Sequence, residues 1–287
     1  MHRLLLLLLL LITAGCKKDE ATFDPFNYDP QAYEEVKLHY QIKGSGDTTL
    51  FFVHGWNLDH TIWENQEAEF SSLYQLVLFD LAGCGSSGKN REHWTVESYA
   101  RDISSVIKKE HLRNVILVGH SMAGEIALDV AAANQEEVIG IIGVDNLKNV
   151  GEVISEEDKA GIQPYIRNFT ANYPKMAEEM AREFIVSTDS AIVHRIVNSY
   201  KNADPAVAIP SLINVYPKSG DAKNMLLKMP FKMKFIMSTS TPYDEDAFKK
   251  YCKNGYQIIN IENAGHFPMI EQPEKFNKAI HQLLSIK

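Results

Sequence analysis

The chain has 287 residues, 45 % hydrophobic and 23 % charged, which is the composition of a globular protein and not of a disordered or fibrous one. Its net charge of −8, without basic clusters, argues against a nucleic-acid partner, because such partners require many phosphate-neutralising side chains. Three cysteines cannot form a disulfide framework, and no cysteine or histidine spacing matches a metal-binding motif, so we expect no metal site.

The first 16 residues have the pattern of a targeting signal. Met1-His2-Arg3 is a basic start, residues 4–12 are an apolar run too short to span a bilayer, and small residues precede Cys16. The segment Ile12-Thr13-Ala14-Gly15-Cys16 resembles the lipobox of bacterial lipoproteins, in which cleavage before the cysteine frees its thiol for acylation. The resemblance implies a signal peptide over residues 1–15 and a lipid anchor on Cys16. A plain secretory signal with a chance cysteine is the alternative.

This anchor would place the protein in the bacterial cell envelope, on the periplasmic face or at the cell surface, and it would be the protein's contact with the membrane. Two Asp-Pro pairs follow the cysteine, at Asp24-Pro25 and Asp29-Pro30. Residues that precede proline favour extended backbone, so we predict an extended linker over residues 16–33.

Short apolar segments alternate with helical patterns along most of the remaining chain. An alternating segment predicts an antiparallel first strand at residues 36–42, and continuous apolar runs predict strands buried on both faces. These runs lie at residues 50–53, 76–79, 115–118, 138–144, 235–237 and 257–261. Helical patterns lie at residues 96–107, 122–133 and from Pro273 onward. The alternation predicts an α/β fold with a mostly parallel central sheet flanked by helices.

Residues 146–228 contain helical patterns and no run typical of a buried strand. Ser155 and Asp158 have the spacing of a capping box, and Asp204-Pro205 is typical of a helix start. An insertion of this length between two strands would lie over the carboxyl edge of the sheet, where α/β proteins bind ligands. We therefore predict a helical lid over residues 146–228, inserted after the sixth strand, between core segments 34–145 and 229–287. Ordinary crossover helices with added loops are the alternative.

The segment Gly119-His120-Ser121-Met122-Ala123 lies between a predicted strand and a predicted helix. A serine in so tight a turn is held out as a nucleophile, and the residues two before and two after it must be small, as Gly119 and Ala123 are. The pattern predicts that Ser121 is a nucleophile. A serine that only caps the helix is the alternative.

Two other segments supply the groups that such a serine needs. His54-Gly55 ends an earlier buried strand, where glycine lets the backbone approach the serine, so we expect the Trp56 N–H to stabilise an oxyanion. The Met122 N–H, at the start of a helix, is the expected second donor. His266 follows the last predicted strand in a loop with glycine, and we expect it to be the base.

These motifs, with residues 80–88 (DLAGCGSSG) and Gly265-His266-Phe267-Pro268, resemble the landmarks of the α/β-hydrolase family in the same chain order. The resemblance runs from residue 36 to the end of the chain. It implies an α/β-hydrolase fold, a Ser-His-acid triad, no cofactor, and hydrolysis of a small-molecule substrate, most often a carboxylic ester. A C–C bond hydrolase or a cofactor-free perhydrolase would use the same residues. A catalytically silent binding protein would share the fold. The oligomeric state is not indicated.

The acid of this triad departs from the family's usual pattern. The usual position follows the strand at residues 235–237, where Thr241 or a neighbour lies, and Asp244 comes about three residues too late. A variant of the family places the acid one strand earlier, where this chain has Asp145. A carboxylate buried at the end of a strand needs a partner, and His266 can supply it. We expect Asp145 to be the acid, with Asp244 as the alternative.

Overall fold

The structure, a computed structural model, describes residues 32–152 and 155–285, so the predicted signal peptide, Cys16 and nearly all of the predicted linker lie outside the described residues. Its centre is a seven-stranded sheet in the order β1-β3-β2-β4-β5-β6-β7. The strands are β1 His39–Lys43, β2 Thr49–Val53, β3 Gln75–Asp80, β4 Val115–His120, β5 Val138–Val144, β6 Met233–Ser238 and β7 Tyr256–Ile261. Only β1 pairs antiparallel, with β3, which confirms the predicted mostly parallel α/β sheet.

Burial follows the position of each strand in the sheet. All five residues of the inner strand β2 are buried, as a continuous apolar run predicts for a strand covered on both faces. The edge strands β1 and β7 are mostly half-buried, because each has a neighbour on one side only. The continuous apolar runs therefore mark the buried inner strands, except the run at residues 257–261, which forms the half-buried edge strand β7 and not a strand buried on both faces.

Helices connect the strands of this sheet and follow the last one. They are α1 Glu64–Phe70, α2 Val96–Lys109, α3 Ala123–Ala133, α4 Glu156–Ala171, α5 Tyr173–Phe184, α6 Ser190–Asn202, α7 Pro205–Leu226, α8 Glu245–Tyr251, α9 Pro268–Glu271 and α10 Pro273–Ser285. A short 3₁₀ helix, His60–Trp63, precedes α1. Helix α2 begins where Thr95 and Ser98 form a capping box, so its first backbone N–H groups are satisfied.

Helices α4 to α7 form one insertion between β5 and β6. The insertion therefore follows the fifth strand and not the sixth, because the described chain has a single strand, β1, ahead of the buried β2. Asp204 caps α7 by accepting a hydrogen bond from the Ala206 N–H, as the Asp-Pro pair predicts. Within residues 32–152 and 155–285, no helix is both long enough and apolar enough to cross a membrane.

Candidate active site

Ser121 lies in a strained turn between β4 and α3. Its φ is +55°, in the left-handed region that residues other than glycine rarely adopt. A Cβ on Gly119 would lie 2.6 Å from the Ala123 carbonyl oxygen, so the turn closes only because residue 119 is glycine. Ala123 is fully buried within the same turn. The turn presents the Ser121 hydroxyl at the carboxyl end of the sheet, where the sequence pattern places it.

The structure brings Ser121, His266 and Asp145 into one hydrogen-bonded row. The Ser121 Oγ lies 2.8 Å from the His266 Nε2, and the His266 Nδ1 lies 2.6 Å from the Asp145 Oδ2. Both distances are within hydrogen-bond range. The Asp145 side chain is fully buried and that of His266 is 17 % exposed. The hydroxyl, the imidazole and the carboxylate thus come from three separate loops. His266 is 145 residues from Ser121 and 121 residues from Asp145 along the chain.

Asp145 directly follows β5, and its Oδ1 has hydrogen-bonding partners as well as its Oδ2. The Ser238 N–H donates to the Asp145 Oδ1 at 2.9 Å, and the Lys148 Nζ lies 2.9 Å from the same oxygen. Burial raises the pKa of Asp145, but the hydrogen bond and charge of His266 and the Lys148 ammonium lower it by more. The pKa therefore lies well below its usual range, and the carboxylate is ionised at neutral pH.

Asp244, the alternative acid, has a different place. Its Oδ1 accepts a hydrogen bond from the Ala247 N–H at 3.0 Å and caps α8, whose first turn also contains Glu245 and Asp246. Carboxylates at a helix start are stabilised by the helix dipole. The partner of the His266 Nδ1 is Asp145, so the structure brings Asp145 and not Asp244 to the imidazole.

The backbone of residues 55 and 56 passes directly against the serine turn. A Cβ on Gly55 would lie 2.8 Å from the Ser121 Cβ and 2.6 Å from the His120 Nδ1, so a side chain there would clash. Among the residues that the structure describes, no hydrogen bond from the Trp56 or Met122 amide to another protein group is found. Met122 directly follows Ser121 in the chain, and Trp56 directly follows Gly55, so the expectation that their N–H groups stabilise an oxyanion stays a prediction.

The loop that carries His266 is tied to the insertion by a buried carboxylate. The Glu271 Oε1 accepts hydrogen bonds from the Gly265 and Phe267 N–H groups at 3.0 and 3.2 Å. Its Oε2 accepts from the Val186 and Ser187 N–H groups, both at 2.8 Å. Four backbone donors on one carboxylate hold the two segments together. Glu271 lies in no motif or periodic pattern that would mark it in the sequence.

The His266 backbone has two more partners. Its N–H donates to the Phe184 carbonyl at the end of α5 at 2.7 Å, and its carbonyl accepts from the His120 Nε2 at 2.7 Å. The Phe184 ring packs against the imidazole with 5.0 Å between ring centroids. The position of His266 therefore depends on the insertion as well as on the core.

The insertion also contacts the Trp56 side chain. The Trp56 Nε1 donates to the Ala208 carbonyl of α7 at 2.7 Å, and the indole packs edge-on against Tyr200 at 5.2 Å. Phe169 and Tyr173 complete the cluster, and all four rings are buried. These aromatic residues therefore join the insertion to the core.

The two other histidines near the serine are neutral and structural. The His54 Nε2 accepts the Leu81 N–H at 3.0 Å, while its Nδ1 bonds to the Gly55 carbonyl. The His120 Nε2 donates to the His266 carbonyl. Burial lowers the pKa of both imidazoles, because a charged ring is costly in the core. His266 is the histidine that contacts the Ser121 hydroxyl.

Within the described residues, one group of side chains has the composition of a metal site, and the sequence predicted none. His39, His60 and Asp80 have ligand atoms within 4.8 Å of one another. The Nδ1 atoms of both histidines bond to the Asp80 carboxylate, at 2.9 and 2.7 Å, and the His60 and Ser86 N–H groups also donate to it. Four donors saturate a carboxylate, so this cluster anchors β1 and the 3₁₀ helix to the end of β3.

Known proteins resemble this chain over most of its length. A model of the Alpha/beta hydrolase family matches residues 50–279. The AB hydrolase superfamily protein YisY of Bacillus subtilis is 26 % identical over 265 residues, which cover 87 % of this chain and 96 % of that protein. The Karrikin insensitive 2 receptor CA of Petunia hybrida is 20 % identical over 246 residues, 82 % of this chain and 90 % of that protein. A solved esterase from Thermogutta terrifontis shares the fold, with a TM-score of 0.75, 22 % identity, and coverage of 87 % and 93 %.

Proposed function

This chain belongs to the Alpha/beta hydrolase family, and on that premise we propose that it is a serine hydrolase that cleaves carboxylic esters with Ser121, His266 and Asp145 as its triad. The observation that carries the proposal is the row of hydrogen bonds from the Ser121 hydroxyl through His266 to the ionised Asp145, at 2.8 and 2.6 Å. The esterase among the structural neighbours supports the choice of an ester as substrate.

The geometry supports a two-step acyl transfer. The His266 Nε2 accepts the Ser121 proton as Oγ attacks the ester carbonyl, and the Trp56 and Met122 N–H groups stabilise the oxyanion. His266 then protonates the leaving alcohol, which departs and leaves an acyl-serine. In the second step, His266 accepts a proton from water as the water oxygen attacks the acyl group. The bond between the acyl carbon and the Ser121 Oγ then breaks, His266 returns the proton to Oγ, and the acid is released. Asp145 keeps the Nδ1 proton on the imidazole and stabilises its charged form.

In this proposal the insertion of helices α4 to α7 is a lid that shapes the substrate site. Two contacts support the role: the Phe184 ring packs on the His266 imidazole, and α7 binds the Trp56 indole. Because each contact reaches a residue with a proposed part in the chemistry, the lid would select the substrate and also fix the catalytic groups.

A binding protein is the second candidate, because the Karrikin insensitive 2 receptor CA is named as a receptor and covers most of this chain. A C–C bond hydrolase or a perhydrolase on the same residues would differ from an esterase only in substrate. A fluorophosphonate probe distinguishes a silent binding protein from any serine hydrolase, and a series of p-nitrophenyl esters measures esterase turnover. A binding protein without turnover would leave the probe and all esters unreacted.

The experiment compares the purified chain with Ser121→Ala. We expect the wild type to form one covalent adduct with the probe, located at Ser121 by mass spectrometry, and Ser121→Ala to lose about 10⁶-fold in kcat on the best ester. Ser105→Ala is the control, because its hydroxyl bonds to the Asp102 carbonyl of α2 and is remote in role from the site. Turnover by Ser121→Ala close to that of the wild type would disprove the mechanism.

We also propose that the mature protein is held in the bacterial envelope by lipid on Cys16. The support is the lipobox-like segment before that cysteine and the apolar run of residues 4–12. Several acyl chains on one residue anchor a protein stably, since each buried CH₂ contributes about 0.8 kcal/mol.

A further inference from the structure

Beside Asp145, the structure holds a second charged side chain that the proposed mechanism does not use. We propose that Lys148 acts on His266 through Asp145: its ammonium weakens the attraction between the carboxylate and a protonated imidazole, and so keeps the site active at lower pH. The inference rests on the proposed function, since it assigns a pH range to the same triad.

Lys148 is held against the carboxylate by the fold of its loop. Its Nζ lies 2.9 Å from the Asp145 Oδ1, the oxygen that does not face His266, and it also contacts the Thr241 hydroxyl. The side chain is only 13 % exposed. Asp145 and Leu147 both have positive φ, at +49° and +52°, and these two turns return the chain so that residue 148 faces residue 145.

The backbone of Lys148 is fixed as well. Its carbonyl accepts a hydrogen bond from the Asp244 N–H at 3.1 Å, which ties this loop to the one after β6. Thr241 lies where the family's usual acid was expected from the sequence. The Lys148 ammonium therefore contacts both the Asp145 carboxylate and the neutral hydroxyl of Thr241, which lies at the family's usual acid position.

The other ionisable groups that face His266 do not cancel the effect of the Lys148 charge on its imidazole. From β5 comes Asp145, and from β4 comes His120, which burial keeps neutral; His54 is neutral for the same reason. The Glu271 carboxylate of α9 is bound by four backbone N–H groups of the surrounding loops. Two unit charges close together in a partly buried site interact strongly, because little water screens them.

The direction of the effect follows from the chemistry. The imidazole must be neutral to accept the serine proton, and Asp145 favours the protonated ring. A cation 2.9 Å from that carboxylate offsets part of this preference, so protonation of the ring requires a lower pH. Removal of the ammonium strengthens the hold of Asp145 on the protonated ring, and the site becomes inactive at a higher pH than before.

The test measures the second-order rate constant of Ser121 labelling by a fluorophosphonate between pH 4 and 9, on the full-length chain. In the pH profile of the labelling rate, we expect the acid limb of Lys148→Met to lie about one pH unit above that of the wild type. At a pH below the midpoints of both proteins, the variant is then labelled about tenfold more slowly. At high pH the rate stays within about threefold of the wild type, since a more basic imidazole is, if anything, a better base.

Two control variants separate charge from packing. Lys148→Arg keeps the charge, and Thr241→Val removes the hydroxyl contact but no charge, so both should keep the wild-type midpoint. Lys148→Gln is the second neutral variant, used if methionine impairs folding, and should shift the midpoint as methionine does. An equal loss of rate at every pH in the neutral variants, with an unchanged midpoint, would overturn the inference.

A titration without catalysis tells this inference apart from the proposed function. In Ser121→Ala protein with ¹³C-labelled histidine, NMR follows the His266 ring directly. We expect its titration midpoint to be about one pH unit higher when Lys148→Met is added. If the wild type fails to label but this shift is present, the proposed function is wrong, and only the electrostatic effect of Lys148 on His266 stands. If labelling is normal and the shift is absent, the inference is wrong.

Discussion

Replacing Asp145 with asparagine tests the assignment of the acid, because the structure dictates how the new amide must turn. The Oδ1 side of Asp145 receives two donors, the Ser238 N–H and the Lys148 ammonium, both at 2.9 Å. In Asp145→Asn the amide oxygen must face these donors, since an NH₂ group there would leave two buried N–H groups without acceptors.

The amide NH₂ then faces the His266 Nδ1. That nitrogen can only accept a hydrogen bond from it, so the ring proton moves to Nε2 and points at the Ser121 Oγ. An imidazole in this tautomer cannot accept the serine proton. In a serine protease the same substitution lowers kcat about 10⁴-fold, and we expect a loss of this order, about 5 kcal/mol in barrier height.

The matched control is Asp244→Asn. Asp244 caps α8 through the Ala247 N–H, and asparagine is about as good an N-cap as aspartate. We expect less than a tenfold change in kcat and a change in unfolding free energy within about 0.5 kcal/mol. The assay is hydrolysis of p-nitrophenyl acetate, with circular dichroism as the check on folding. A large loss of kcat in Asp244→Asn, together with retained activity in Asp145→Asn, would refute the reasoning.

Two more predictions concern other parts of the chain. Cys16→Ser should move the protein from the membrane fraction to the soluble fraction and abolish labelling by an alkyne palmitate analogue; a wild type that is soluble and unlabelled would contradict the lipoprotein proposal. Glu271→Gln replaces a carboxylate that accepts four backbone N–H groups, two of which would then face an NH₂ group. We expect it to lower the free energy of unfolding in urea by about 2–3 kcal/mol and to reduce kcat, because the loop of His266 loosens. The exposed Glu274→Gln, as control, should change stability by less than about 1 kcal/mol, and equal effects of the two would refute the assigned role.

The amino-acid sequence was enough to predict the α/β architecture and to nominate Ser121 and His266. Apolar runs predicted the strands, and an inner strand such as β2 is buried throughout because polar side chains are costly in a strand covered on both faces. The glycine and alanine around Ser121 predicted its turn, and the chain order of the motifs predicted His266 as its partner. These features are local, or they depend on an alternation of strands and helices that leaves one arrangement of parallel strands.

The sequence favoured Asp145 as the acid and left Asp244 open, and the tertiary structure brings Asp145 to His266. Asp145 and Asp244 both follow strands in the sequence. Strand β5 pairs in parallel with β6, and the Asp145 N–H continues this pairing by donating to the Ile236 carbonyl at 2.8 Å. This pairing directs the Asp145 carboxylate toward His266, while Asp244 falls at the start of α8. The choice depends on the end of a strand ladder, which no local pattern encodes.

The same holds for Glu271, Lys148 and the histidines on Asp80. Glu271 reaches N–H groups 84 and 85 residues away, and His39 meets Asp80 across 41 residues. Lys148 is close to Asp145 in sequence, yet it reaches the carboxylate only because two residues of the loop adopt positive φ. Such contacts connect polar groups that carry no periodic pattern. Hydrophobic periodicity therefore predicted which segments form the core, whereas the positions of the buried charges followed only from the packed loops at its edge.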